Sequence, residues 1–356
     1  MAQAKALTTE KSPRPIERPI GLFNSNSALM EPVLTTRPEK PESVRRTMKA
    51  AYLEKKAGPE SLVLGKIPRL NPNKGEVVVR VHASAITPTE LQWFPTFNLQ
   101  SGESRPFPIV LGHEFSGVVE LVGPDVRGVT AGEEVYGVND WFTNGAQAEY
   151  CVAPASALAR KPASLDHVQS AVVPISALTA WQGLFEKIKR ERGQRVLIHG
   201  AAGAVGTFAV QLAHWRGAHV IATASAANLD FVRTLGADEV IDYKATRFED
   251  VVHDVDAVFD VVGGDTLDRS WGVLKEGGKL VTVASTSEGN VEQRVRDAFM
   301  LMRADGSQLT QIAKTIDEGD LLIFVGAVFP LYQAREAYAL AQHTRIPGKI
   351  VLRVVE

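Results

Sequence analysis

The chain has 356 residues, of which 45% are hydrophobic and 22% are charged, and its formal net charge is -2. This length exceeds the roughly 250 to 300 residues at which one hydrophobic core stops growing, so we expect two domains. The near-neutral charge predicts no nucleic-acid partner, and no apolar run reaches the roughly 18 residues of a membrane span, so no membrane partner is expected. Cys151 is the only cysteine. It excludes internal disulfides and multi-cysteine metal clusters and favours a reducing, cytoplasmic location.

Residues 1–47 differ in composition from the rest of the chain. They contain six prolines and scattered charges, and they show no sustained apolar periodicity, which predicts a solvated or surface-draped extension. A mitochondrial presequence is rich in arginine and poor in acids, whereas this segment mixes eight Lys/Arg with five Glu. Targeting is therefore the weaker alternative, and the first folded domain is expected to begin at Met48.

Residues 48–174 read as short strands separated by turns. The segment 76–83 alternates as a strand, and further strands are predicted at 117–122 and 133–136, between glycines. The pattern indicates a folded-over β domain.

From 175 to 326 strands alternate with helices. Strands are predicted at 195–200, 219–224, 239–242, 257–262 and 279–284. This alternation predicts a parallel, doubly wound sheet whose ligand binds at the carboxyl ends of the strands. Residues 327–356 then return to a β pattern, ending in the strand 349–354, so a cleft is expected between the two domains.

The most informative segment is 194–206, QRVLIHGAAGAVG, where an apolar strand enters a turn of small residues and a helix follows. Ala201, Gly203 and Gly206 occupy the three positions of the dinucleotide fingerprint, with alanine in place of the first glycine. Such a turn lets backbone N–H groups and the positive end of a helix approach a pyrophosphate. The predicted cofactor contacts in this turn are Ala202, Gly203, Ala204, Val205 and Gly206. The alternative is an ordinary strand-to-helix turn.

The end of the second sheet strand predicts which nicotinamide cofactor binds. An NAD enzyme places an acid there for the ribose 2′-hydroxyl, whereas this chain has ATASAAN over 222–228. Because no acid would repel a 2′-phosphate, NADP(H) is favoured, with Ser225 and Asn228 as hydrogen-bonding partners. A basic residue is missing just after this strand, and Ser225 alternatively serves as a helix start.

Seven motifs in order resemble those of one family. They are LGHEFSGVVELVG at 111–123, GAQAEY at 145–150, LTAW at 178–181, GAAGAVG at 200–206, LGADEVIDY at 235–243, VVGG at 261–264, and VFPL with GKIVL at 328–331 and 348–352. Together they resemble the zinc-free quinone oxidoreductase branch of the medium-chain dehydrogenase/reductase superfamily. The resemblance implies an α/β fold in which a doubly wound Rossmann domain is inserted in a GroES-like β-barrel catalytic domain.

The resemblance also implies further cofactor contacts. Thr179, Val262, Gly263 and Ala284 are expected to contact the cofactor, and Tyr243 corresponds to a family tyrosine beside the 2′-phosphate, where Lys244 would add charge. A core position at a strand end is the alternative for Tyr243.

The superfamily contains zinc-dependent and zinc-free enzymes. Its zinc-dependent alcohol dehydrogenases place two cysteines and a histidine at positions that correspond here to Thr87, Ile175 and His113. Since neither threonine nor isoleucine replaces a thiolate, no metal is expected. A site using His113, Glu114 and Glu90 is the alternative.

Without zinc, the acceptor must accept hydride readily, as a quinone or an α,β-unsaturated carbonyl does. The catalytic candidates are Thr87 and Thr89, as hydrogen-bond donors to an enolate, and Glu90. Gln92, Trp93 and Trp141 are the candidate acceptor pocket, although each is also explicable as part of the wall.

The chemistry leaves three hypotheses. The first is an NADPH-dependent quinone or enone reductase. The alternatives are a zinc-free alcohol dehydrogenase or carbonyl reductase-like enzyme, and an NADPH-binding protein with little turnover. The segment FMLMR at 299–303 predicts an edge strand. The family resemblance implies that this strand pairs with its twin, and unpaired edges are a liability, so a homodimer is expected.

Overall fold

A computed structural model describes residues 47–189, 192–344 and 346–355 of the chain. All of these residues fall within one compact unit. None of the helices they form is long and apolar enough to cross a membrane.

The first part of the chain forms short strands because β-branched and small apolar residues alternate between turns. Its strands are β1 (Thr47–Leu53), β2 (Leu62–Pro68), β3 (Glu76–Ala85), β4 (Ile109–Val110), β5 (Glu114–Val122), β6 (Glu134–Val138), β7 (Tyr150–Pro154) and β8 (Leu158–Arg160), with two short helices, α1 (Phe94–Phe97) and α2 (His167–Ala171). Strands β2, β1 and β4 form a three-stranded antiparallel sheet. A bridge between Ala50 and Ala148 joins it to the segment before β7.

The middle of the chain alternates strands and helices, as predicted. Its elements are α3 (Pro174–Trp181), which continues as a π-helical turn (Gln182–Lys187), β9 (Arg195–His199), α4 (Ala204–Trp215), β10 (His219–Ala224), α5 (Leu229–Thr234), β11 (Glu239–Asp242), β12 (Val255–Asp260), α6 (Gly264–Ser270), β13 (Leu274–Thr282), α7 (Gln293–Ala298) and α8 (Gly306–Asp317). The parallel sheet has the order β11-β10-β9-β12-β13. Because the chain starts in the middle and crosses to both sides, this is the doubly wound Rossmann arrangement.

The end of the chain returns to the first part. Strands β14 (Val325–Pro330) and β15 (Lys349–Arg353) flank helix α9 (Ala334–His343). They complete a seven-stranded sheet in which β15 pairs antiparallel with β3. The predicted fold class, a Rossmann domain inserted between the two parts of a GroES-like domain, is confirmed.

The turn between β9 and α4 shows why alanine is tolerated at the first fingerprint position. The residue with the left-handed backbone is Gly200, with φ of 69°, one position before Ala201. Gly206 is needed for packing, because a Cβ there would lie 2.2 Å from the carbonyl oxygen of Gly200. These two glycines let α4 start directly against the strand.

The predicted edge strand at 299–303 is wrong. The segment makes only a single bridge, between Phe299 and Thr282, and the Met300 N–H donates to the Thr282 carbonyl at 3.0 Å. At the end of the segment the side chain of Gln182 accepts from the Arg303 N–H at 3.0 Å and donates to the Arg303 carbonyl at 2.8 Å. The backbone groups of Arg303 are therefore bonded to a side chain and not to a neighbouring strand.

We expect Gly206→Ala to destabilise the protein by about 1 to 3 kcal/mol, since the added methyl group meets backbone atoms that have no room to move. Thermal unfolding measures the change. Gly272→Ala is the matched control, because a Cβ there has no neighbour within 4 Å and should change stability by less than about 0.5 kcal/mol. Equal effects of the two substitutions would contradict the packing role of Gly206.

Candidate active site

A cleft of about 810 Å³ is lined by residues from both the seven-stranded and the parallel sheet regions. The residues predicted for the cofactor that line it are Thr179, Val205, Val262 and Ala284, and those predicted for the acceptor are Thr87, Thr89, Trp93 and Trp141. The fold therefore brings the two predicted sets of residues to one cavity.

The start of α4 has the properties of a pyrophosphate site. Gly203 is its exposed N-cap residue, and no side chain in the described part of the chain caps the helix there. A Cβ at Gly203 would have only the Gly200 carbonyl oxygen nearby, at 3.3 Å. The Gly203 N–H is used within the turn, where it donates to the Gly200 carbonyl at 3.0 Å, whereas the N–H groups of the first helical residues, 204–206, have no acceptor within the helix. Such a positive helix end suits an anionic group.

The end of β10 lies apart from the cleft lining. Ser225 precedes a short 3-10 turn, Asn228 donates to the Ser225 hydroxyl at 3.3 Å, and the Tyr243 N–H donates to the Ala224 carbonyl at 3.2 Å. The Tyr243 side chain is 48% exposed. The neighbouring acid, Asp242, accepts from the backbone N–H of Lys244. The predicted 2′-phosphate residues therefore lie together at one strand end.

Thr179 and Gly263, two further residues predicted to contact the cofactor, form hydrogen bonds within the protein. The Thr179 hydroxyl donates to the Ile175 carbonyl at 2.6 Å, so its hydrogen is used within α3. Gly263 has φ of 76° and donates its N–H to the buried Asp260 carboxylate at 3.0 Å, which shapes the turn after β12. Burial raises the pKa of Asp260.

The acceptor side of the cleft has an aromatic wall. The rings of Trp93 and Trp141 meet edge to face, with centroids 5.3 Å apart. The opposite lining includes the apolar residues Phe299, Met300, Leu301 and Met302, which the sequence analysis had placed in an edge strand. Gln92 is exposed and is not among the lining residues.

Beneath Thr87 lies a buried ion pair that the sequence analysis missed. Lys349 contacts the Glu114 carboxylate, and these side chains are 8% and 0% exposed. The Lys349 ammonium is 3.3 Å from the Thr87 hydroxyl, which is 3.4 Å from Oε1 of Glu114. Oε2 of Glu114 accepts from the Ile175 N–H at 3.1 Å. The only available sequence signal was the strand motif GKIVL, whose lysine had no assigned role.

Glu90 does not reach the cleft lining. It is 1% exposed, and its Oε1 accepts from the Gly112 N–H at 2.8 Å and lies 3.4 Å from Nε2 of His113. Burial raises the pKa of Glu90 to about 8 and lowers that of His113 to about 4. At neutral pH both groups are therefore uncharged.

The hydrogen bonds around His113 show which of its ring nitrogens carries the hydrogen. The amide of Asn139 donates to the Asn144 carbonyl, so its oxygen faces Nδ1 of His113, at 2.7 Å, and Nδ1 carries the hydrogen. Nε2 is then the unprotonated ring nitrogen, and Oε1 of Glu90 lies 3.4 Å from it.

Comparison with known proteins identifies the family. The model for the alcohol dehydrogenase GroES-like domain matches residues 73–163, and that for zinc-binding dehydrogenase matches 235–352. The chain is 32% identical over 332 residues to a probable zinc-binding oxidoreductase, mitochondrial, of Arthroderma benhamiae, which covers 88% of this chain and 98% of that protein. It is 31% identical over 329 residues to the NADPH-dependent alkenal/one oxidoreductase, chloroplastic, of Arabidopsis thaliana, covering 87% and 80%.

A solved structure supports the same family. The quinone oxidoreductase from Coxiella burnetii superposes with a TM-score of 0.80 at 32% identity, covering 87% of this chain and all of that one. The chain therefore belongs to the medium-chain dehydrogenase/reductase superfamily, in its quinone-oxidoreductase-like branch. It is an oxidoreductase, as the motifs predicted.

The residues present do not fit the zinc named in one of these family descriptions. By the resemblance of the sequence motifs, Thr87 and Ile175 correspond to two of the ligand positions, and neither side chain replaces a thiolate. Both ring nitrogens of His113 already face protein partners, Asn139 and Glu90. Among the residues that the structure describes, no group of three or more His, Cys, Asp or Glu side chains could hold a metal ion.

The raised pKa of Glu90 predicts a pH-dependent stability. Between its ordinary pKa of 4.5 and about 8 the folded chain keeps a proton that the unfolded chain loses, so the free energy of unfolding falls as pH rises. His113 has the opposite effect only between about pH 4 and 6.5. From pH 6.5 to 8 we expect Glu90 to lower stability by at most about 1.4 kcal/mol per pH unit.

Glu90→Gln should abolish this loss, because the amide reproduces the shape and hydrogen bonds of the protonated acid. Urea unfolding of both proteins across this pH range measures it, and taking the difference cancels all shared groups. Parallel stability curves would show that Glu90 is ionised in the folded chain.

Proposed function

We propose that the chain is an NADPH-dependent reductase that transfers hydride to a quinone or an α,β-unsaturated carbonyl without zinc. The observation that carries the proposal is the Thr87 hydroxyl, which lines the cleft where a zinc ligand would stand and lies directly above a buried ammonium group. A hydroxyl cannot polarise an unactivated alcohol as a metal does, but it can stabilise charge on an enolate or phenolate oxygen.

Different residues of the cleft would bind different parts of the cofactor and the acceptor. The turn at 202–206 binds the pyrophosphate, and Val205, Val262 and Ala284 form the wall against which the nicotinamide packs. When bound, NADPH supplies the hydride, which for an enone goes to the β-carbon. Thr87 donates a hydrogen bond to the oxygen that gains negative charge, and a proton from water or a side chain completes the α-carbon.

The aromatic and apolar walls favour such an acceptor. Trp93, Trp141 and Phe299 offer flat apolar surface to a conjugated ring or alkene and keep water away from the reacting carbon. The names of the Arabidopsis and Coxiella relatives, an alkenal/one oxidoreductase and a quinone oxidoreductase, support the same acceptor classes.

The function is tested by NADPH oxidation with quinones, enones and aldehydes of matched size, with metal content measured on the same preparation. Deuterium on the transferring face of NADPH should appear at the β-carbon of an enone product. Label on the carbonyl carbon would make the enzyme a carbonyl reductase. Tight NADPH binding with no oxidation across the panel would make it a nucleotide-binding protein with little turnover, and stoichiometric zinc lost in His113→Ala would restore metal chemistry.

Removal of the Thr87 hydroxyl in Thr87→Val should lower turnover by about 10 to 1,000-fold, the scale of one oxyanion donor or less, with NADPH affinity unchanged. Steady-state kinetics and fluorescence titration separate the two effects. Thr89→Val removes the hydroxyl of the second candidate, which is exposed at the rim, and should cost less. The opposite ranking would reassign the donor to Thr89.

We also propose that NADPH binds at least tenfold more tightly than NADH, about 1.4 kcal/mol, because no acid follows β10. Ala224 is only 4% exposed, so a carboxylate is better introduced at Ser225. Ser225→Asp should shift the preference toward NADH by repelling the 2′-phosphate, while Ser225→Ala, which adds no charge, should weaken NADPH only modestly. Equal affinities of the unaltered protein for the two cofactors would overturn the assignment.

A homodimer and a cytoplasmic location stay predictions. Leu301 is 68% exposed in the segment that follows the single bridge to β13, and such an exposed apolar side chain supports an interface there.

A further inference from the structure

Lys349 lies behind Thr87, below the cleft, and the proposed function assigns it no task. It begins β15, and the antiparallel pairing of Val351 with Ala85 carries it to the end of β3, beside Thr87. Glu114 begins β5, which pairs with β3 from the other side. Three strands thus bring an ammonium, a carboxylate and a hydroxyl together below the cavity.

Hydrogen-bond capacity decides which way the hydroxyl faces. A lysine ammonium only donates, so Thr87 Oγ1 accepts from Lys349 and has one hydrogen of its own to give. The protein acceptor within reach is Oε1 of Glu114, at 3.4 Å, whereas a good O–H···O bond is about 2.7 to 2.8 Å. That oxygen is already paired with Lys349, and the other oxygen takes the Ile175 N–H. The Thr87 hydrogen is therefore readily given to an oxygen in the cleft.

The charge of Lys349 also favours an acceptor oxygen that gains negative charge. Glu114 is fully buried directly behind Thr87, so an unpaired carboxylate there would oppose negative charge developing on a bound oxygen. The Lys349 ammonium cancels that charge and lies one hydroxyl away from the cleft. In a site with little water such interactions are only weakly screened.

We propose that Lys349 is a positioning residue for the reduction, holding the Thr87 hydroxyl as a donor toward an anionic acceptor oxygen while neutralising Glu114; this rests on the function proposed above. The acceptor oxygen is that of an enolate or of a quinone being reduced. Lys349 itself neither touches the acceptor nor transfers a proton.

A double-mutant cycle between Lys349 and Thr87 tests this coupling. Lys349→Met should lower kcat about tenfold or more, with KM for NADPH unchanged, and Lys349→Arg should retain most of the activity. In the Thr87→Val background Lys349→Met should cause a smaller loss than in the unaltered protein, because the part of its effect that passes through the hydroxyl is already missing. Losses that multiply, or an unchanged kcat in Lys349→Met, would overturn the proposal.

Lys349→Met leaves a buried carboxylate without its partner, so a lower kcat could result from misfolding alone. A second comparison controls for this effect. Glu114→Gln/Lys349→Met removes both charges, and its kcat is compared with that of Glu114→Gln alone. A lower kcat in the double variant supports the positioning role. Equal values would mean that Lys349 only neutralises Glu114.

Binding of 4-nitrophenol in the presence of NADP⁺ tests the site without turnover, because its ionised form absorbs visible light. The unaltered protein and Lys349→Arg should favour the bound phenolate, and Lys349→Met and Thr87→Val should lower the ionised-to-neutral ratio about tenfold, or one pKa unit. Phenolate stabilisation without reduction of any quinone or enone would refute the proposed function alone. Reduction with the ratio unaffected by Lys349→Met would refute the role of Lys349 alone, and no ionised ligand in the unaltered protein would refute the anion site.

Discussion

The ion pair of Glu114 and Lys349 is the interaction on which the arrangement of the site depends. Its partners are 235 residues apart in the chain, and Glu114 also accepts from the N–H of Ile175 at the start of α3. One carboxylate thereby ties together the first part of the chain, its final strand and the first helix of the Rossmann region. Removing only one partner of such a buried pair typically costs about 3 to 5 kcal/mol, because the other is left uncompensated.

At the positions that the sequence resemblance aligns with the zinc ligands of related enzymes, this chain has a network of a different kind. Thr87 and Ile175 supply a hydroxyl and an apolar surface to the cleft, while His113 is turned to Asn139 and Glu90 behind the wall. Burial keeps both Glu90 and His113 uncharged at neutral pH. The histidine is thus a hydrogen-bonded member of the core, and in the proposed function the hydroxyl of Thr87 acts as the donor instead.

Gln182 links the packing of the Rossmann region to the shape of the cleft. Its amide takes both backbone groups of Arg303, and its Nε2 also donates to Gln308 at 2.8 Å. These bonds hold the end of a segment whose earlier residues, Phe299 through Met302, line the cavity with apolar side chains. Gln182 therefore connects the π-helical turn after α3 to one wall of the cleft.

The sequence by itself determined the features that depend on neighbouring residues. The strand–turn–helix around Gly200 and Gly206, the alternation of strands and helices, the lack of an acid after β10 and the missing thiolates all follow from local residue type and spacing, which constrain the backbone directly. Strand ends shifted by only a few residues, and Thr87, Trp93 and Trp141 were found from one loop motif and its surroundings.

Only the tertiary structure decided the contacts between distant segments. The charge of Lys349 was visible in the sequence, but its place beside Thr87 comes from the register of β15 on β3. Glu90 looked like a catalytic acid until its burial against Gly112 and His113 was known. The apolar run at 299–303 has strand character, yet the side chain of Gln182, from a helix more than a hundred residues earlier, holds its end. The register between strands and the hydrogen bonds from side chains to distant backbone groups depend on packing between segments, which local periodicity does not encode.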